Sequence, residues 1–182
     1  VPGMSSVGGK EQSGRYGGLM TWADKARSCV DWGKEDQERL ARLHAWLQPE
    51  YEDVIDDLLE RLSVLNGAQP AMRNVRFAQR LRRVIREWLA GLVEEPFADG
   101  FAENRRALGQ RLADLDLAFE DVVFLEGVAF RQLFSLAKGR LQGQPEELSL
   151  TMCALQKAMT QNRALVYAGY LDLHDAELEQ AL

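Results

Sequence analysis

LRRVIREWLAGLVEEPFADGFAENRRALGQRLADLDL, Leu81 to Leu117, holds two helical periods on either side of a corner. The first period reaches back to Val75. Val75, Ala78, Leu81, Val84, Ile85, Trp88, Leu89 and Leu92 recur at spacings of three and four, the stripe of a helix with one buried side. The corner is acidic and carries a Pro-Phe step, Glu94 to Phe97, with Gly100 behind it. Proline and glycine punctuate helices. An aromatic, Phe101, opens the second helix, which reads to Leu115 with Leu108, Leu112 and Leu115 on one face.

The same period extends in both directions. Thr21 and Asp24 form a capping-box pattern that opens a short helix through Val30, and Gly33 breaks it. Asp36 to Leu47 carries Leu40, Leu43 and Leu47 on one face. Pro49 restarts the chain at a first helical turn, and Tyr51 to Leu65 repeats the period through Val54, Ile55, Leu58, Leu59 and Leu62. Asn66-Gly67 stops that helix. Leu117 to Leu141 reads as a long helix, apolar nearly all round. Gly143-Gln144-Pro145 is a turn, and Glu146 to about Leu178 is the last helix. No strand period and no repeat of fixed length is present.

A chain of 182 residues suits one domain with a real core. Its apolar fraction of 46% and mean hydropathy of −0.29 are those of a globular protein, and no apolar run reaches the length of a membrane span. The densest stretch, Val122 to Ala137, is interrupted by Glu126, Gly127, Arg131 and Gln132. A net charge of −6 argues against a nucleic-acid partner. Two distant cysteines, Cys29 and Cys153, fit a reducing cytoplasm and exclude a disulfide scaffold. Cys153 and Met159 read as core residues of the last helix.

Residues 1–20 are rich in Gly and Ser without an apolar period. They read as a disordered head, with Val1 to Gly3 as a cloning remnant before Met4. Residues 21–182 then read as one domain. Its last helix runs to the final residue without a stop signal, as the N-terminal part of a longer protein or a frayed native terminus would.

No catalytic constellation emerges. The two histidines, His44 and His174, are isolated. The carboxylate pairs Asp56-Asp57 and Glu94-Glu95 are adjacent and point to different sides of a helix. A glycine-rich phosphate loop is absent. The expectation is a protein that is not an enzyme and has no metal site. Arg73, Arg76, Arg80 and Arg83 recur at spacings of three and four, with Arg82 and Arg86 beside them. This basic face is read as a solvated one, paired with nearby acids.

The last two helices carry more apolar surface than a single buried stripe needs. The surplus fits either helices buried in the middle of the domain or, the preferred expectation, a two-fold homodimer in which both helices of each subunit form a four-helix bundle. Val123, Phe130, Phe134, Met159, Val166 and Tyr170 are the expected interface residues.

REWLAGLVEEPF, FAENRRALGQRLADLDL and KAMTQNRALVYAGYL together resemble the sensor globins, the globin-coupled sensors and their protoglobin relatives. The resemblance covers about Thr21 to Leu173. It implies an all-α, globin-like sensor domain of seven to eight helices that dimerises through its last two. In that family the residue three after the glycine of the Arg-Ala-Leu-Gly step is the histidine that holds haem iron; here it is Leu112. A Phe-Tyr pair often stands on the distal side, where this chain has Leu58 and Leu59. Leucine offers iron no lone pair and a bound gas no donor. The chain is thus similar to the non-haem globin domains of stressosome sensors. Leu58, Leu59, Trp88, Phe101, Leu108, Leu112, Leu115 and Phe119 are expected around the former haem site. The expectation is a cytoplasmic, bacterial signalling domain without cofactor. A small apolar ligand and a C-terminal output module are the expected partners. Two alternatives stay open: a haem sensor with unusual ligation, and an adaptor whose cavity is filled.

Overall fold

In the computed structural model the described residues are 22–65, 74–93, 96, 97 and 100–181, with side chains described between 24 and 172. They form seven α-helices: α1 Trp22–Cys29, α2 Lys34–Leu47, α3 Tyr51–Val64, α4 Val75–Val93, α5 Phe101–Ala113, α6 Phe119–Arg140 and α7 Pro145–Ala181. A 3-10 turn, Gln48–Glu50, joins α2 to α3 around Pro49. No strand occurs among the described residues, and no helix among them is long and apolar enough to cross a membrane. Thr21 of the expected capping box, the head 1–20 and the Asn66-Gly67 stop lie outside the described residues.

Three helix starts differ from the periodic reading, each for a local reason. α2 begins at Lys34, because the Gly33 amide donates to the Asp36 carboxylate at 3.0 Å and closes the first turn. α6 begins at Phe119 and not at Leu117. Asp116 turns the chain at a φ of 55°, and Ala118 stays extended. Leu115 and Leu117 are nonetheless buried, so their apolar character belonged to the corner between two helices. α7 takes Pro145 at its first position, where a missing N–H costs nothing.

The core fills the space between α2, α3, α4 and the α6–α7 hairpin, with α5 laid across α7. That last crossing is a close one. A Cβ at Gly109 would stand 2.0 Å from the Val166 carbonyl oxygen, and one at Gly169 would stand 2.0 Å from the Arg106 carbonyl oxygen. Backbone meets backbone with no side chain between.

Polar pairs fix the remaining seams. Lys157 of α7 donates to the buried Asp36 carboxylate and to the Asp31 carbonyl, each at 2.9 Å. Glu147 receives Arg39 at 3.2 Å and also Arg42. Gln132 of α6 donates to Asp57 of α3 at 2.6 Å. Arg82 of α4 reaches Glu52 at 2.7 Å and also Asp56, and Arg86 pairs with Glu52.

Candidate functional site

Leu112 is 3% exposed, on the inner side of α5 and one turn beyond Gly109. The glycine contact therefore holds the Leu112 turn close to α7. Leu108 and Leu115 are buried with it. Leu58 and Leu59 of α3 and Trp88 of α4 belong to the same apolar cluster. Six of the eight side chains expected around this position thus share one continuous core. The other two turn elsewhere. Phe101 is buried with its ring under the Arg105 guanidinium, 5.3 Å from the centroid. Phe119 is half-buried and packs on Tyr167 and Tyr170, at ring-centroid distances of 4.5 and 5.6 Å.

A leucine at position 112 has no lone pair, and leucines at 58 and 59 have no donor. The side chains at these three positions do not fit haem iron or its bound gas. His44 sits half-buried on α2, with Nε2 3.1 Å from Gln48 Nε2. The His174 side chain lies outside the described ones. Among the described residues no group of three or more His, Cys, Asp or Glu could hold a metal ion.

Several polar residues in this region carried no sequence signal. Arg105 is buried and donates to the carbonyls of Glu87 and Trp88 at 3.2 and 3.3 Å, near the end of α4. Its guanidinium lies on Gly91, where a Cβ would come within 2.1 Å. Glu126 of α6 is buried and accepts from Arg163 Nε at 2.7 Å, while its Oε1 has no partner. Burial pushes its carboxyl above the usual carboxylate range, and the Arg163 bond only partly opposes this. Gln161 and Asn162 of α7 are buried, and their side-chain oxygens have no partner. The one legible hint was glycine inside helices. It costs about 1 kcal/mol against alanine there and so marks close approach. Gly91, Gly109 and Gly169 obey that rule, whereas Gly127 and Gly139 face open space.

The six expected interface residues divide. Met159 and Val166 are buried at 3% and 2%, inside the subunit's own core. They leave almost no surface for a second chain. Tyr170 is half-buried, and its hydroxyl donates to the Leu117 carbonyl at 2.9 Å. Val123 and Phe130 are half-buried, and Phe134 is exposed. The large apolar side chains open on α6 and α7 are Phe124, Phe134, Leu150, Tyr167 and Leu171. Cys153, read as a core residue, is exposed instead. It lines a shallow surface cleft with Phe134, Leu148 and Met152.

The family model of the protoglobins matches residues 21–175. The globin domain of the Geobacter sulfurreducens globin-coupled sensor superposes with a TM-score of 0.73 at 18% identity, over 84% of this chain and 99% of that one. At that identity the likeness is one of fold. No curated protein matches the sequence.

Proposed function

The chain belongs to the protoglobin family, and on that premise we propose that it is a sensory and dimerisation domain that works without haem. The observation that carries this reading is Leu112. It is buried on α5 at the position that resembles the family's iron-ligating one, where only a lone-pair donor could hold the metal. Leu58 and Leu59 of α3, in the same apolar cluster, support it. An aliphatic site of this kind suits a small apolar, chain-like ligand.

The relay follows from the glycine crossing. α5 carries Leu112 and rests directly on the α7 backbone at Gly109 and Gly169. A shift of α5 on ligand binding therefore moves α7, and packed interfaces of this kind switch between discrete arrangements. α7, which runs to Ala181, is the element that would pass this shift on to an output module. The exposed apolar side chains of α6 and α7 support a dimer through these two helices.

The test is hemin titration followed by absorption, with native mass spectrometry of the purified protein. The expected result is no stoichiometric Soret band and a co-purifying apolar molecule. A sharp band lost on His44→Ala or His174→Ala replacement would instead establish a haem sensor with displaced ligation. An empty mass spectrum together with no response to added acyl chains would leave an adaptor.

A further inference from the structure

α4 carries five arginines and one glutamate. Two of the arginines behave as a solvated basic face should: Arg82 and Arg86 turn to α3 and are neutralised by Glu52 and Asp56. The other three do not. Arg76, Arg80 and Arg83 are exposed, and no carboxylate among the described residues lies within ion-pair reach of them. Their spacing, i, i+4 and i+7, puts them on one stripe of the helix. The stripe spans roughly 10 Å at about 1.5 Å of rise per residue. Like charges at these spacings repel along a helix. The arrangement therefore works against α4 in the isolated domain, in a chain whose net charge is −6. Val75, 67% exposed, flanks the stripe at its N-terminal end.

We propose that this face of α4 docks an acidic amphipathic helix of a partner protein. Carboxylates at i, i+4 and i+7 of that helix would meet the three guanidinium forks, and an apolar side chain would lie against Val75. Arginine forks bind carboxylates in a planar, directional way that lysines do not. The surroundings select a short partner. Glu52, Asp56 and Glu87 flank the arginines. An extended phosphate backbone or an anionic bilayer would have to cross these acids, and the overall negative charge repels both. A two-turn acidic helix covers the stripe without touching them.

The experiment uses the full chain and a fluorescein-labelled helical peptide with glutamates at i, i+4 and i+7 and a leucine before the first. Fluorescence anisotropy is read at low and raised salt. Duplex DNA and phosphatidylserine vesicles are run alongside. The peptide should bind the protein, more weakly as salt rises, and a scrambled peptide of equal composition should bind less well. Arg80→Glu/Arg83→Glu should weaken binding by about tenfold or more, with unchanged circular dichroism because neither side chain has an ion-pair partner among the described residues. The neutral Arg80→Gln gives a smaller loss in the same direction if charge reversal disturbs the fold. The proposal is overturned if the peptide does not bind, if both variants bind it like the wild type, or if DNA or vesicles bind more tightly than the peptide.

Discussion

Leu112→His places an imidazole where the resemblance puts the proximal ligand, on a turn already held against α7 by Gly109. The variant is expected to gain a Soret band on hemin addition that the wild type lacks. A folded variant that binds no hemin would mean that the site has no room for the macrocycle, and the adaptor reading would follow. Glu126 gives a second residue-scale test. Its folded pKa is raised by burial, so the protonated form is favoured in the native state. The sign is then fixed: its contribution to stability is fullest below about 4.5 and is lost as pH rises through the folded value. Glu126→Gln removes that loss, and Arg163, 49% exposed, can be solvated without it. The melting temperature of Glu126→Gln relative to wild type should therefore climb from acid to neutral pH. A flat difference would count against this account. Asp57 runs the other way. The Arg61 hydrogen bond lowers its pKa, with Gln132 adding to it, so its contribution disappears only as pH falls through that lowered value. Burial of Leu112 was legible in the sequence, because periodicity alone puts it on the inner face. Burial of Glu126 and Arg105 was not. A charged residue in a helix reads as solvent-facing, and only the packing of a distant helix reverses that.

At the scale of the elements, the α5–α7 crossing depends on two hydrogen atoms in place of methyl groups. Gly109→Ala and Gly169→Ala each drive a Cβ into a backbone carbonyl at 2.0 Å, and backbone cannot rotate aside as a side chain can. Each should cost roughly 1–3 kcal/mol, read by urea or thermal unfolding. Gly127→Ala and Gly139→Ala are the controls. They add helix propensity in open space and should stabilise by up to about 1 kcal/mol. If all four substitutions behaved alike, the crossing would not be the tight one described. The helices themselves were readable from spacing, and the late start of α6 shows where spacing fails. Leu117 continues an apolar run that periodicity assigns to α6, but Asp116 adopts a positive φ and the chain turns first. Apolar pattern reports burial, and a buried corner looks the same as a buried helix. Cys153 erred in the opposite direction: an apolar neighbourhood in sequence became an exposed groove edge because α7 is covered on only part of its circumference.

For the whole molecule, the apolar surplus of α6 and α7 divides into two groups that the sequence cannot separate. Met159 and Val166 complete the subunit core, while Phe124, Phe134, Tyr167 and Leu171 remain open to solvent. Exposed apolar side chains on this hairpin are what the proposed two-fold bundle would cover. The two groups predict different failures. Phe124→Glu with Leu171→Glu should leave the helix content and the melting temperature of the subunit nearly intact. It should still separate the proposed dimer, since each buried aromatic or leucine contributes roughly 1.5–3 kcal/mol and every 1.4 kcal/mol is about tenfold in dissociation constant. Met159→Glu should instead unfold the subunit, because it buries a charge with no partner. Sedimentation velocity over a concentration series, with circular dichroism on the same samples, distinguishes them. Wild-type protein that stays monomeric at roughly tens of micromolar, the range of a weak complex, removes the dimer relay. Any signal carried by the α5–α7 contact would then have to pass within one subunit.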